Sequence, residues 1–162
     1  MSSHDPSLPF RRHLREQEQW RRRAAAVQLG NTPAGPDLVD ILLGQARELL
    51  RRTDLEGSRR AAVVLAFTAS EIEAEQLAGR LVLDQRANAD IRKWFKDRFS
   101  TSRTPLHPAV RAMLRKWPPL SQYEASAGRR NGIVHRGDDV TPAEATQAID
   151  VTEQAIGEFR RR

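Results

Sequence analysis

At 162 residues the chain is long enough for one domain with a sizeable core. Hydrophobic residues make up 39% and charged residues 30%, and the absence of cysteine excludes disulfides, thiolate metal sites and cysteine nucleophiles. The net charge of +6 favours polyanionic partners, nucleic acid above all. Residues 1–9 carry no core-forming pattern. Residues 10–29 predict a short basic amphipathic helix, with Arg11, Arg12, Arg15, Arg21, Arg22 and Arg23 around Phe10, Leu14 and Trp20. The Gly- and Pro-rich GNTPAGPD at 30–37 reads as a linker. Residues 1–36 thus form a basic extension, and 37–162 form the folded unit.

From Asp37, a helix-capping type, Leu38, Ile41, Leu42, Leu49 and Leu50 mark an apolar stripe to about Arg52. Thr53, Asp54, Leu55 and Glu56 have the form of a capping box, opening a long helix to about Asp84. That helix is apolar nearly all round at its start, which places it in the middle of a bundle. A shorter helix at 90–99 carries Trp94, Phe95 and Phe99, whose helical spacing points to core rather than to base stacking. A loop at 100–108, containing His107, precedes a helix at 110–117 that Pro118 and Pro119 stop. Ser121 to Glu124 has the form of a second capping box. The helix that follows should end at Gly137, which can take the left-handed conformation. Thr141, Pro142 and Glu144 open a last helix with one apolar face: Ala145, Ala148, Ile149, Thr152, Ile156 and Phe159. No alternation predicts a sheet. The expected fold is all-α, an up-and-down bundle of four to six helices.

No apolar run reaches the roughly 18 residues of a membrane span. The N-terminus lacks the apolar centre of a signal peptide, so a cytoplasmic chain without membrane contact is expected. The four histidines are scattered, which argues against a zinc site; no cofactor is implied.

The chemistry concentrates in Arg129 to His135, RRNGIVH. Asn131 and His135 are four apart and share a helix face. Arg130 lies about 140° from His135 round the axis, so the two meet only at a frayed helix end or across a second copy of the helix. Gly132 would let such a copy approach closely. A histidine moves protons near neutral pH. An arginine fork holds phosphate oxygens and stabilises extra negative charge. An asparagine orients either without adding charge. Glu71, on a stripe with Val64, Phe67, Ala74 and Ala78, should need a partner such as Arg130. Arg129 and Arg136 flank the motif as candidate RNA-phosphate ligands, or as solvated charges.

Residues 130–135 resemble the RNxxxH form of the R-x4–6-H motif of HEPN domains. RNGIVHRGDDVTPAEATQAIDVTEQAI is similar to that family's motif helix, glycine turn and capped final helix. Residues 62–81 are similar to the early helix that carries a family acidic residue, here Glu71. The resemblance spans roughly residues 38–160. It implies a bundle that dimerises through the motif helices, so that two motifs line one cleft. It also implies metal-independent ribonuclease activity, as in toxins, phage defence or RNA processing, leaving a cyclic phosphate or 3′-phosphate and a 5′-hydroxyl. Arg130 would stabilise the phosphate, His135 would act as general acid or base, and Asn131 would support them. A toxin of this kind implies an antitoxin, such as a nucleotidyltransferase. The rival expectation is a non-catalytic HEPN-like module that binds a protein, RNA or nucleotide. A helical DNA-binding regulator fits less well, because Pro118 and Pro119 interrupt the only close helix pair near a basic stretch.

Overall fold

The structure is a computed structural model that describes residues 37–52, 56–98 and 106–162. The expected basic helix, most of the linker, residues 53–55 of the first capping box and Phe99 lie outside the described residues. Six helices are present among the described residues, and no strand: α1 (Leu38–Arg51), α2 (Glu56–Leu83), α3 (Ala89–Arg98), α4 (Leu106–Met113), α5 (Leu120–Arg136) and α6 (Pro142–Arg161). The all-α expectation holds. No helix among the described residues is long and apolar enough to cross a membrane.

The 28-residue α2 is the hub and touches all five other helices. Ala62, Val63, Ala66, Phe67, Ala69, Ala74, Leu77 and Ala78 are all buried along it, on several sides at once. A helix that is apolar all round lowers its free energy only when other helices surround it. The polar contacts fix chain direction. Asp37 and Asp40 at the start of α1 meet Arg160 at the end of α6, and Arg47 meets Asp150 and Glu153 further back, so α1 and α6 run in opposite directions. Arg60 near the start of α2 bonds the Gly137 carbonyl beyond the end of α5, while Ser70 meets Tyr123 near the start of α5. Helices α2 and α5 therefore also run oppositely. The short α3 and α4 pack together between the end of α2 and the start of α5.

Asp37 caps α1, its Oδ1 accepting from Val39 N at 3.0 Å. The predicted stripe of α1 is rotated, however. Val39 and Ala46 are buried, Leu42, Leu43, Leu49 and Leu50 are half-buried, and Leu38 and Ile41 are exposed. The small Ala46 is buried in one cluster with Ala62 and Ala66 of α2 and Ile149 of α6, which apolar spacing alone does not reveal. Helix α4 begins at Leu106, four residues before the predicted start, so His107 lies in a helix and not in a loop. Pro108 is the third residue of that helix, where its missing N–H removes no intrahelical bond. The second capping box does not form. Helix α5 starts two residues earlier, at Leu120 after Pro119, without a side-chain cap, and Glu124 instead accepts from Arg111 at 2.7 and 3.0 Å. The third box forms as expected: Glu144 N donates to Thr141 Oγ1 at 3.3 Å, and Thr141 N donates to Glu144 Oε2 at 3.0 Å. Every residue of the predicted apolar face of α6 is buried. Trp94 and Phe95 are core residues with rings 6.4 Å apart, not an open stacking surface.

Candidate functional site

Helix α5 carries two stripes with different fates. Tyr123, Ser126 and Ile133 are buried, and half-buried Arg130 lies on the same side, at helical spacings of three and four. Gly128, Asn131, Val134 and His135 form a second, exposed stripe that adjoins Arg130 at Val134, four residues on. Nothing lies within 4 Å of where a Cβ on Gly128 would sit, and Val134 is 49% exposed.

Arg130 therefore points its guanidinium at α2. One terminal nitrogen donates to Glu71 Oε2 at 3.3 Å and the other to Asn131 Oδ1 at 3.1 Å. Its Nε is enclosed and has no hydrogen-bond acceptor. An enclosed N–H without an acceptor costs about 1–3 kcal/mol, and such atoms recur where a site holds strain for function. Below this group, Tyr123 Oη and Ser70 Oγ are 2.9 Å apart. Burial, above all, pushes the Tyr123 hydroxyl up to about 12, with the nearby Glu71 charge acting in the same direction.

His135 stands in the last turn of α5, exposed, and its imidazole makes no hydrogen bond to a described residue. The helix ends where expected. Gly137 adopts φ 70°, and its N–H donates to the Ile133 carbonyl at 3.1 Å. The single chain brings Arg130, Asn131 and Glu71 together, but it leaves Arg130 and His135 on different sides of one helix. The flanking arginines are each engaged. Arg129 donates to Glu144 at 3.0 Å and Arg136 to Asp138 at 2.5 Å. The Thr141 backbone N–H, then the Thr141 hydroxyl, and Arg129 further down, hold the Glu144 carboxyl below its usual range.

Gly132 has a different occupant from the one expected. A Cβ there would collide with the Asp138 carboxylate and come within 2.7 Å of an Arg136 nitrogen. The space over Gly132 is filled by the side-chain ends of Arg136 and Asp138; the open glycine on α5 is Gly128.

Sequence reasoning placed the buried carboxylate at Glu71, yet Glu71 sits at the margin of the α2 stripe with its side chain 37% exposed. The enclosed carboxylate is Glu73, 3% exposed, which accepts from Arg160 Nε at 2.9 Å and lies 3.8 Å from Arg80. The available signal was its spacing of three, four and seven residues from Ser70, Ala69 and Ala66, all fully buried. Among the described residues, no three of His, Asp and Glu gather closely enough to hold a metal ion. No family model, curated protein or solved structure matches the chain.

Proposed function

We propose that the protein is a HEPN-like, metal-independent endoribonuclease that acts as a homodimer through α5, as a toxin or phage-defence effector. The observation that carries this reading is the open stripe Gly128–Asn131–Val134–His135 beside the partly enclosed Arg130. The stripe exposes a valine and a bare glycine, as a surface for a second helix would. Pairing two such stripes would bring the Arg130 of one protomer towards the His135 of the other, the meeting that one helix forbids.

In the proposed reaction a ribose 2′-oxygen attacks the adjacent phosphorus as its proton passes to a basic nitrogen of one His135. The bond to the 5′-oxygen breaks, and an imidazolium returns a proton to it. The products are a 2′,3′-cyclic phosphate, or the 3′-phosphate after hydrolysis, and a 5′-hydroxyl. Arg130 would hold the phosphate oxygens as their charge grows, and Asn131 would steady the guanidinium that it already touches. Glu71 supports Arg130 from behind without touching the substrate. The antitoxin of such a toxin, a nucleotidyltransferase by the family resemblance, would be its cellular partner.

One observation favours a second reading, a non-catalytic HEPN-like binding module. Arg130 is held by Glu71 and the flanking arginines by Glu144 and Asp138. A scaffold would use these pairs simply to tie α5 to its neighbours. Cleavage of total RNA and tRNA in EDTA decides between them. The ribonuclease reading expects wild type to leave 5′-hydroxyl ends, with His135→Ala and Arg130→Ala at least 100-fold slower, the lower end of a general acid–base contribution. No cleavage by a folded wild-type dimer would favour the scaffold.

A further inference from the structure

The positive charge of this chain is not where the motif is. Residues 84–117 hold nine Lys and Arg against three Asp and Glu, a net +6 that equals the charge of the whole chain. Residues 118–162, which include the motif helix, sum to −1.

The side-chain contacts show the same division. In α1, α2, α5 and α6 every described arginine is engaged by a carboxylate or a carbonyl. Examples are Arg47 with Glu153, Arg59 with the Val140 carbonyl, Arg129 with Glu144 and Arg160 with Glu73. Among the described residues, the side chains of five cations make no hydrogen bond or ion pair: Arg86, Arg92, Lys93, Arg115 and Lys116. All five are exposed. They border or belong to α3 and α4, whose inner faces are fixed in the core by Ile91, Trp94, Phe95, Ala109, Val110 and Met113. The burial of those apolar residues forces the basic residues between them outward, at 92 and 93 on one helix and at 115 and 116 just after the other.

The geometry points to this outer surface of α3 and α4 as the place where the protein docks the sugar–phosphate backbone of RNA, separately from the motif. This rests on the ribonuclease reading for the choice of RNA. Unpaired lysines and arginines gain from phosphate by releasing counterions, whereas the motif arginines must first give up a carboxylate. Among the described residues the surface presents no large exposed hydrophobic; those are Leu38, Ile41 and Val134, on α1 and α5. A lipid surface would find charge there but, among the described residues, nothing to insert. The docked strand lies at the opposite end of the bundle from His135. Fifteen residues of α5 separate that histidine from Leu120, about 22 Å at a rise of ~1.5 Å per residue. Docking at α3 and α4 thus selects long RNA and tethers it, while the motif end acts on a distant segment.

The test is fluorescence anisotropy with a labelled 2′-O-methyl RNA of about 20 nucleotides, which has no free 2′-hydroxyl to attack, over a range of salt concentrations. The full chain is compared with the quadruple variant Arg92→Ala, Lys93→Ala, Arg115→Ala, Lys116→Ala, and with each pair alone. Arg51→Ala with Arg52→Ala, exposed arginines already paired with Glu48, controls for net charge. The quadruple variant should bind at least tenfold more weakly, with a log–log salt slope shallower by about 3, roughly 0.7 for each phosphate that is no longer neutralised. The control should stay within about twofold. Equal binding by the quadruple variant, an equal loss in the control, or wild-type binding to phosphatidylserine vesicles and not to the RNA would each overturn the docking surface. Cleavage is read separately. If the quadruple variant binds normally while His135→Ala still abolishes cleavage, the docking surface fails and the ribonuclease stands. If patch-dependent binding persists but His135→Ala cleaves normally, the reverse holds.

Discussion

Tyr123 is the chain's one tyrosine, and it shows how far a single side chain reports on its surroundings. Its ring lies 5.3 Å from Phe67 and 6.3 Å from Trp117, and its hydroxyl faces Ser70. Burial favours the neutral phenol, so the folded group is pushed up to about 12, while an unfolded tyrosine ionises near 10. The sign follows from linkage. The folded state holds its proton longer, so the stability from this group is complete below about pH 10 and is lost as pH rises towards 12. Absorbance at 295 nm, where phenolate absorbs, should show one transition near pH 12 or one coincident with alkaline unfolding. A reversible midpoint near 10 in the folded protein would contradict the buried placement. At the same scale, Glu71 and Glu73 differ by two positions and by most of their exposure. Two residues on a helix are about 200° of rotation, so the two carboxylates point to nearly opposite sides of α2, and on a helix apolar nearly all round only packing decides which side is enclosed.

Helix ends belong to the next scale, and here local chemistry decides most of the outcome. Gly137 at φ 70° stops α5 directly after His135 and Arg136, and the Thr141–Glu144 box starts α6 four residues later. Gly137→Ala should lower stability by about 1–2 kcal/mol, the cost of a left-handed residue bearing a Cβ. Thr141→Ala should lower it by about 1 kcal/mol through loss of the cap. Urea unfolding monitored by circular dichroism measures both. If the two ends act separately, the losses add in the double variant within about 0.5 kcal/mol. Where an expected end failed, tertiary contact prevailed. Glu124 forms no box because Arg111 takes both its oxygens, and α5 begins at Leu120 instead.

Across the whole molecule, Arg160 ties three helices with one guanidinium. It donates to Glu73 on α2 at 2.9 Å, to Asp40 on α1 at 3.0 Å and to the α1 cap Asp37 at 2.7 Å. Arg160→Ala leaves Glu73 enclosed, with Arg80 3.8 Å away as its remaining cation. The expected loss is about 2 kcal/mol, less than the ~3–5 kcal/mol for a fully buried pair because Arg160 itself reaches solvent. Arg51→Ala, which removes only an exposed pair within α1, should change stability by under about 0.5 kcal/mol. Thermal and urea unfolding of the two variants tests the contrast, and equal losses would remove the special role of Arg160.

The helical class, the central place of α2, the termini around Gly137 and Thr141, and the buried face of α6 were all legible along the chain. Each follows from rules that act within a few residues: apolar period, cap chemistry and the left-handed tolerance of glycine. The same rules placed Asn131 and His135 together on one face of the motif helix. Which way each face turns was settled by packing alone. Arg130 faces Glu71 because Tyr123, Ser126 and Ile133 hold that side of α5 against the bundle. Glu73, not Glu71, is the enclosed acid, because α6 brings Arg160 to it. Partners such as these lie 59 to 123 residues apart along the chain. Their meeting is set by how helices pack, which no local pattern encodes.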